Sequence, residues 1–306
     1  MSSMGAVILS FGHEQCFDEL LAVMAAELGP GNVVLAHNPY DPTDTWMPTL
    51  PREVRAIRMP DNVGYAAAMN AGVEALATDW VWLLTHDVIA APDAVHAVRE
   101  RIAQLPTDAG IAGVCVARTD GIRAYGTSFD QNGLGTINTA EPESPTIDVE
   151  MVDGCAMLVR RTAWKQLGGL WPGYFMYFEE IEYSDRARKA GWRTILVSDI
   201  EITSSPGYSR RPGAYGFLMS RNGYDWALRC RGRATASRFA FAQIRIAWRR
   251  LPRHKHQLRP KRFEAALLMA TGHLLGLSAA LFGRRSGRPP SYLLRRTDIA
   301  AQHQHS

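Results

Sequence analysis

The chain has 306 residues, 46% of them hydrophobic and 21% charged, a globular composition that excludes a disordered or collagen-like protein. Its four cysteines, Cys16, Cys115, Cys155 and Cys230, form no Cys-x-x-Cys pair, which argues against a zinc ribbon or thioredoxin-type site and predicts reduced, mostly buried thiols. The net charge of +4 conceals an asymmetry: residues 1–230 hold 18 Lys and Arg against 28 Asp and Glu, whereas residues 231–306 hold 16 against 2. This predicts two regions, an acidic body at 1–230 and a basic tail at 231–306 that seeks an anionic partner.

Ala6–Phe11 is a short apolar run ending beside a polar residue, as in a buried strand. It is too short for a signal peptide and Met1–Gly5 carries no basic segment, so the body is expected in the cytosol. Glu14 to Leu28 has helical spacing, with Phe17, Leu20, Leu21, Met24 and Leu28 on one side, and Gly29-Pro30-Gly31 stops it. Strands follow at Val33–Ala36 and Val54–Met59, separated by a Pro- and Asp-rich loop from Pro39 to Pro51. Then come a helix at Gly64–Leu76, a strand at Trp80–Leu84, a helix at Pro92–Leu105 and a strand at Ile111–Ala117. Apolar rather than alternating strands, interleaved with helices, predict an α/β fold with a mainly parallel sheet covered on both faces. Residues 121–148 read as a loop or hairpin excursion. Glu150–Arg161 reads as a strand, Glu179–Ala190 as a helix closed by Gly191, Thr194–Ile202 as a strand, and the remainder as mostly helical.

Ligands of such sheets sit at the carboxyl ends of the strands. The polar segments there are Ser10-Phe11, His37-Asn38, Asp61-Asn62 and Thr85-His86-Asp87. In Asn62–Gly72, a glycine after a strand allows close backbone approach, and the helix start that Asn62 would cap favours an anion such as a phosphate. The same residues also suit a tight strand–helix turn with Asn70 satisfied inside the helix. Asp87 is placed either to hold Mg²⁺ or Mn²⁺ on a diphosphate or to cap a turn before Pro92. Glu179-Glu180-Ile181-Glu182 follows the aromatic cluster Trp171–Phe178. These acidic residues either stabilise a helix N-terminus or supply a general base at a pocket walled by Trp171, Tyr174, Phe175 and Tyr177. Neighbouring carboxylates repel, so one of the pair is expected to titrate high.

Taken in order, these segments resemble family-2 glycosyltransferases of the GT-A fold, closest to the rhamnosyl- and galactofuranosyl-type branch of bacterial cell-surface polysaccharide synthesis. The resemblance covers about residues 5–230. It rests on the Val7–Phe11 strand, Asn38, Asn62-x-Gly64-Tyr65-Ala66-x-x-x-Asn70-x-Gly72, Asp87, Asp153–Arg161, Gly168-Gly169, Phe175–Glu182 with Arg186 and Gly191-Trp192-Arg193, and Arg221-Asn222. It implies a Rossmann-like sheet, a nucleotide-diphosphate sugar donor, a divalent metal, Mg²⁺ or Mn²⁺, and inversion at the anomeric carbon. It also implies donor binding by Ser10, Phe11, Asn38, Asn62, Gly64 and Asn70, and metal binding by Asp87. Glu180 matches the base, with acceptor contacts from Asp153, Trp171, Tyr177 and Glu179.

The chain departs from the family pattern in four places. His37-Asn38-Pro39-Tyr40 stands where Asp-Asn-x-Ser is usual. Glu stands at 180 and at 182 in place of Asp. Ser204-Ser205 follows the strand Thr194–Ile202, where a metal-binding His is frequent. These departures keep open an alternative, a catalytically inactive scaffold of the same fold tethered by its tail.

The tail is Arg-rich over 231–262 with apolar interruptions at Phe239, Phe241, Ile244, Ile246, Trp248 and Leu251. Ala265–Phe282 then carries no formal charge, which is short for a span and suits a surface-lying helix, a helix packed on the body, or a span. The expectation is attachment of 231–296 to an anionic membrane on the cytoplasmic face, where a glycan or lipid-linked acceptor is met. No nucleic-acid module is recognisable, which argues against nucleic acid as partner. The last residues, 298–306, are expected to be disordered.

Overall fold

The apolar runs of the first half become parallel strands because helices cover both of their faces. A computed structural model of the chain describes residues 2–13, 17–204, 212–250, 267–276 and 278. The strands are β1 (Met4–Phe11), β2 (Val33–Asn38), β3 (Val54–Arg58), β4 (Trp80–Thr85), β5 (Val88–Ile89), β6 (Ala109–Arg118), β7 (Arg123–Ala124), β8 (Thr127–Phe129), β9 (Gly135–Ile137), β10 (Thr146–Asp148), β11 (Ala156–Arg160) and β12 (Arg193–Ser204). The helices are α1 (Asp18–Leu28), α2 (Tyr65–Glu74), α3 (Pro92–Gln104), α4 (Arg161–Leu167), α5 (Glu179–Lys189), α6 (Pro212–Trp226), α7 (Arg233–Arg250) and α8 (267–276), with a π-helical segment, Ala227–Arg231, between α6 and α7.

The main sheet runs β10-β12-β6-β11-β4-β1-β2-β3, with β5 on β12 and β7 on β6. The pairs β1–β2, β1–β4, β2–β3 and β6–β12 are parallel, as the sequence predicts. In the middle β11 is antiparallel to both β4 and β6, and at the margin the short strands β10 and β5 are antiparallel to β12 and β7 to β6. After β6 the excursion runs down the amino-terminal half of β12 as β10 and returns to the strands' carboxyl ends at Cys155, so β11 enters the sheet from that end and runs backward. The strand expected over Glu150–Arg161 is correspondingly shorter. Asp153-Gly154-Cys155 forms a turn, and Arg161 already begins α4.

Successive strand residues point to opposite faces. Ile8, Leu35, Trp82 and Leu84 pack under Phe17, Leu21 and Met24 of α1 and Val95, Val98 and Ile102 of α3. Val7, Leu9, Val34, Val81 and Leu83 pack under Ala68 and Met69 of α2, Trp164 of α4 and Tyr183 of α5. A third cluster joins the body to the C-terminal helices through Tyr174, Phe178, Ile181, Trp226 and Phe239. Tyr174 and Phe175, expected as pocket walls, are core residues, because the chain between Trp171 and Phe178 folds inward under α6.

Cys115 is buried and Cys155 and Cys230 are half-buried, all three free thiols; Cys16 lies outside the described residues. Residues 298–306 and most of 251–266 and 277–297 also lie outside them. Among the described residues no helix is long and apolar enough to cross a membrane.

Candidate active site

Two clusters form at the carboxyl ends of the strands. The first joins β1, β2 and the loop before α2. Asn38, buried at the end of β2, donates from Nδ2 to the Gly64 carbonyl (3.1 Å) and accepts at Oδ1 from the Val63 amide (3.3 Å). Asn62 accepts from the Gly64 amide at 3.2 Å. It does not cap α2, whose N-cap is Gly64 itself. Gly64 has φ of 85°, and a Cβ there would lie 2.2 Å from the Phe175 carbonyl oxygen, which accepts the Tyr65 amide at 2.8 Å. Gly64→Ala therefore combines left-handed strain with a backbone clash. We expect it to cost about 2 kcal/mol or more in chemical denaturation.

Ser10 is buried and its Oγ lies 2.9 Å from Nδ1 of His37. Burial lowers the pKa of His37, which keeps the imidazole neutral. Around this pair the loop after β2 assembles rings that composition did not single out. His13 stacks on Trp46 (5.0 Å between centroids), His37 lies 5.5 Å from Trp46, and Phe11 meets Tyr40 edge-on at 5.2 Å. Asp44 fastens the loop by accepting from the Tyr40 and Trp46 amides and pairing with His13 at 3.0 Å. Asn70 is placed apart from this cluster. Its amide donates to the Leu170 carbonyl (2.9 Å) and accepts the Leu170 amide (3.0 Å), so it joins α2 to the segment after α4.

The second cluster is acidic. Because β11 runs backward, its first turn lies beside the end of β4, where the Thr85 amide donates to the Cys155 carbonyl at 3.0 Å. This brings Asp153 and Cys155 next to Asp87, whose Oδ1 accepts the Thr85 hydroxyl. Asp153 pairs with Arg118 from the end of β6 at 2.9 Å. Ser204 closes the row, in register with Val88 of β5 and Arg118 of β6. Glu180 reaches the cluster from the first turn of α5, its side chain against Gly154. Two consecutive residues before that helix, Tyr177 and Phe178, have φ of 69° and 76°. Such left-handed geometry persists only where surroundings enforce it. Here Nδ2 of Asn222 donates to the Met176 and Tyr177 carbonyls, both at 2.8 Å.

Charge crowding and burial tune these groups. Burial, then the charge of Asp153, pushes Glu180 up to about 7. Burial, then the charge of Glu180, holds Glu179 well above the usual carboxylate range. The Oε2 of Glu179 has no hydrogen-bond partner among the described residues. The Tyr65 hydroxyl donates to the Gly154 carbonyl at 2.6 Å, and burial with both glutamates raises its pKa. The Cys155 thiol is pushed up by burial and by Asp153 and Asp87 on either side. A carboxylate titrating near neutrality at the carboxyl edge of the sheet has the property a general base needs.

The rings of Trp171 and Tyr177 contact the C-terminal segment, while the Tyr177 backbone hydrogen-bonds the Glu179 carboxylate. The Arg229 guanidinium lies 4.9 Å over the Trp171 ring, and Tyr177 meets Tyr215 edge-on at 5.2 Å. Sequence reasoning passed over Arg118, Cys155 and Tyr65 as site residues. Tyr65 lies within the Asn62–Gly72 run, which could have found it, whereas Arg118 enters the site only because β6 extends one residue past the strand expected at Ile111–Ala117.

Among the described residues no three His, Cys, Asp or Glu side chains converge into a ready-made cation shell. The donors at hand are the carboxylates of Asp87 and Asp153, with Asp153 already paired to Arg118. This set fits a hard cation that takes most of its ligands from phosphate and water rather than a cage built wholly of protein.

With that geometry established, comparison with known proteins is specific. The chain is 28% identical over 247 residues to the N-acetylglucosaminyl-diphospho-decaprenol L-rhamnosyltransferase of Mycobacterium tuberculosis, covering 67% of this chain and 80% of that protein. The fold matches S. aureus TarS residues 1–349 with a TM-score of 0.56 at 11% identity, over 92% of each chain. It also matches the mannosyltransferase PcManGT of Pyrobaculum calidifontis, solved with GDP-Man and Mn²⁺, with a TM-score of 0.53 at 12% identity, over 92% of this chain and 88% of that one. Residues 6–224, both clusters included, match the model of the family described as glycosyltransferase like family 2, and the chain belongs to that family of glycosyltransferases.

Proposed function

We propose that this glycosyltransferase moves a hexose or deoxyhexose from a nucleotide-diphosphate sugar to a hydroxyl of a lipid-linked or glycan acceptor, with inversion, in cell-surface polysaccharide synthesis. The observation that carries the mechanism is Glu180, raised to about 7 beside Asp153 at the end of the sheet. The acceptor hydroxyl gives its proton to the Glu180 carboxylate as its oxygen bonds to the anomeric carbon. The bond from that carbon to the diphosphate breaks on the opposite side, and the nucleoside diphosphate leaves with the electron pair. Glu179, Asp153, Trp171 and Tyr177 would hold the acceptor.

Ser10, Phe11, Asn38, Asn62 and Gly64 would bind the donor, with the rings of His13, Tyr40 and Trp46 beside the nucleobase. Asn70 would act by holding the α2 segment in place. Asp87 would hold Mg²⁺ or Mn²⁺ on the donor phosphates, a cation that supplies charge neutralisation for the leaving diphosphate. The acceptor reading draws on the mycobacterial relative, whose name specifies a decaprenol-linked substrate, and the metal reading on the Mn²⁺ bound in the PcManGT structure. A lipid-linked acceptor places the enzyme on the cytoplasmic face of the cell membrane, attached through 231–296, with the boundary between catalytic body and tail near residue 230.

Calorimetry against a panel of nucleoside diphosphates and their sugars tests the donor site. One nucleotide should bind, at least about tenfold more tightly with Mn²⁺, and Asp87→Asn should remove that enhancement. Folded protein that binds none of them would replace this reading with the tethered scaffold.

A further inference from the structure

We propose that the outward faces of α7 and α8 form one docking surface for an anionic lipid bilayer. Phe241, Ile244, Leu267, Leu274 and Leu275 would enter the headgroup region, and Arg238 and Arg245 would meet its phosphates. This deepens, and rests on, the lipid-linked acceptor proposed above.

On α7, Ala236 and Phe239 are buried against the body, and the opposite stripe is Ala234, Ser237, Arg238, Phe241, Ile244 and Arg245. Phe241 is 74% exposed and Ile244 55%. The helix contains no Asp or Glu. α8 is seated on α6 by two glycines: a Cβ on Gly272 would lie 2.5 Å from the Phe217 carbonyl oxygen, and one on Gly276 2.8 Å from that of Arg221. With that side fixed and Leu268 buried, α8 turns Leu267 (57% exposed), Ala270, Leu274 (68%) and Leu275 (44%) outward, a stripe with no charge. An outer helix face is ordinarily polar. Apolar side chains interleaved with arginines are instead the pattern of a helix lying in a membrane interface.

Charge decides between the possible occupants. A second copy of the chain would bring the same arginines against these, and like charges repel, whereas an anionic leaflet attracts each of them. Both helices lie on α6, α7 by way of Phe239 against Gly223 and α8 by way of its glycines. α6 in turn holds the Met176 and Tyr177 carbonyls through Asn222, and Leu268 of α8 packs with Phe217, Leu218, Met176 and Tyr177. The surface is therefore one helix layer from the loop that leads into Glu180, so docking brings the acceptor side of the site to the lipid.

The test is co-sedimentation of the full chain with phosphatidylcholine vesicles containing phosphatidylglycerol, against pure phosphatidylcholine vesicles. Binding should favour the anionic vesicles and weaken with salt. Phe241→Ser with Leu274→Ser should lower partitioning about tenfold or more. Arg238→Gln with Arg245→Gln should do the same on anionic vesicles only. Both pairs should leave the thermal midpoint and nucleotide binding unchanged. Wild-type protein that ignores the vesicles, or variants that bind as the wild type does, would overturn the proposal. So would a wild-type dimer that the same substitutions render monomeric, since the face would then belong to a second copy. Sugar transfer to a water-soluble acceptor is read separately. A chain that docks but transfers nothing removes the acceptor reading and leaves the surface standing.

Discussion

Replacing Glu180 with Gln should lower kcat by about 10²- to 10⁴-fold while leaving the affinity for the nucleotide sugar nearly unchanged. The amide has the shape of the carboxylate but cannot take the acceptor's proton, and Glu180 lies against Gly154, away from the Asn38–Gly64 corner proposed for the donor. The pH dependence follows from the same group. The carboxylate that accepts the proton becomes populated only as pH rises through about 7, so transfer by the wild type should fall on the acid side of that value. Stability should run the other way. A glutamate raised from 4.5 to about 7 contributes stability below about 4.5, in its protonated form, and that contribution is lost as pH rises through about 7. Glu180→Gln should flatten both profiles. A variant that keeps wild-type turnover would remove Glu180 from the mechanism.

Asp185→Ala should be the most destabilising single change outside the sheet core, at about 3 kcal/mol in chemical denaturation. Asp185 is buried on α5, where Arg231 donates to both of its oxygens (2.8 Å each), Arg188 pairs with it at 2.7 Å, and the Trp226 indole N–H donates to it at 2.8 Å. Removing the carboxylate leaves the buried indole donor without an acceptor and reduces Arg231 and Arg188 to their bonds with Glu150. Because Arg231 ends the π-helical segment, the loss should also loosen the approach of α7 to the body. Asp185→Asn retains an acceptor for Trp226 and should cost less. Equal stability of Asp185→Ala and the wild type would show that this network does not hold the C-terminal helices.

The strand–helix alternation was legible because each apolar run ends abruptly in a polar residue. The runs ending at Ser10, Asn38 and Thr85 mark the carboxyl edge of the sheet in the sequence itself. The backward course of β11 was not legible, because an apolar strand of five residues reads the same in either direction and its partners are 70 or more residues away for β4. For the same reason Arg118, 35 residues from Asp153, carried no local sign of the ion pair it forms. Tyr174 and Phe175 resembled pocket walls because aromatic rings suit both sugar stacking and core packing, and only the fold of the chain under α6 distinguishes the two uses. Asn62 was expected to cap α2. The positive φ of Gly64, required by the close approach of Phe175, moves the helix start past it. The charge asymmetry located the basic tail but not the attachment of α7 to the body, which depends on Phe239 meeting Phe178 from more than sixty residues away.

The most direct measurement is transfer itself: full-length wild type and Glu180→Gln incubated with Mn²⁺, a panel of nucleotide-diphosphate sugars and a polyprenyl-diphospho-N-acetylglucosamine acceptor, with the glycosylated product read by mass spectrometry. The account predicts product with one donor, its anomeric linkage inverted when read by NMR coupling constants, and little or none from the variant. Product formed equally by both proteins, or with the donor's anomeric configuration retained, would contradict it.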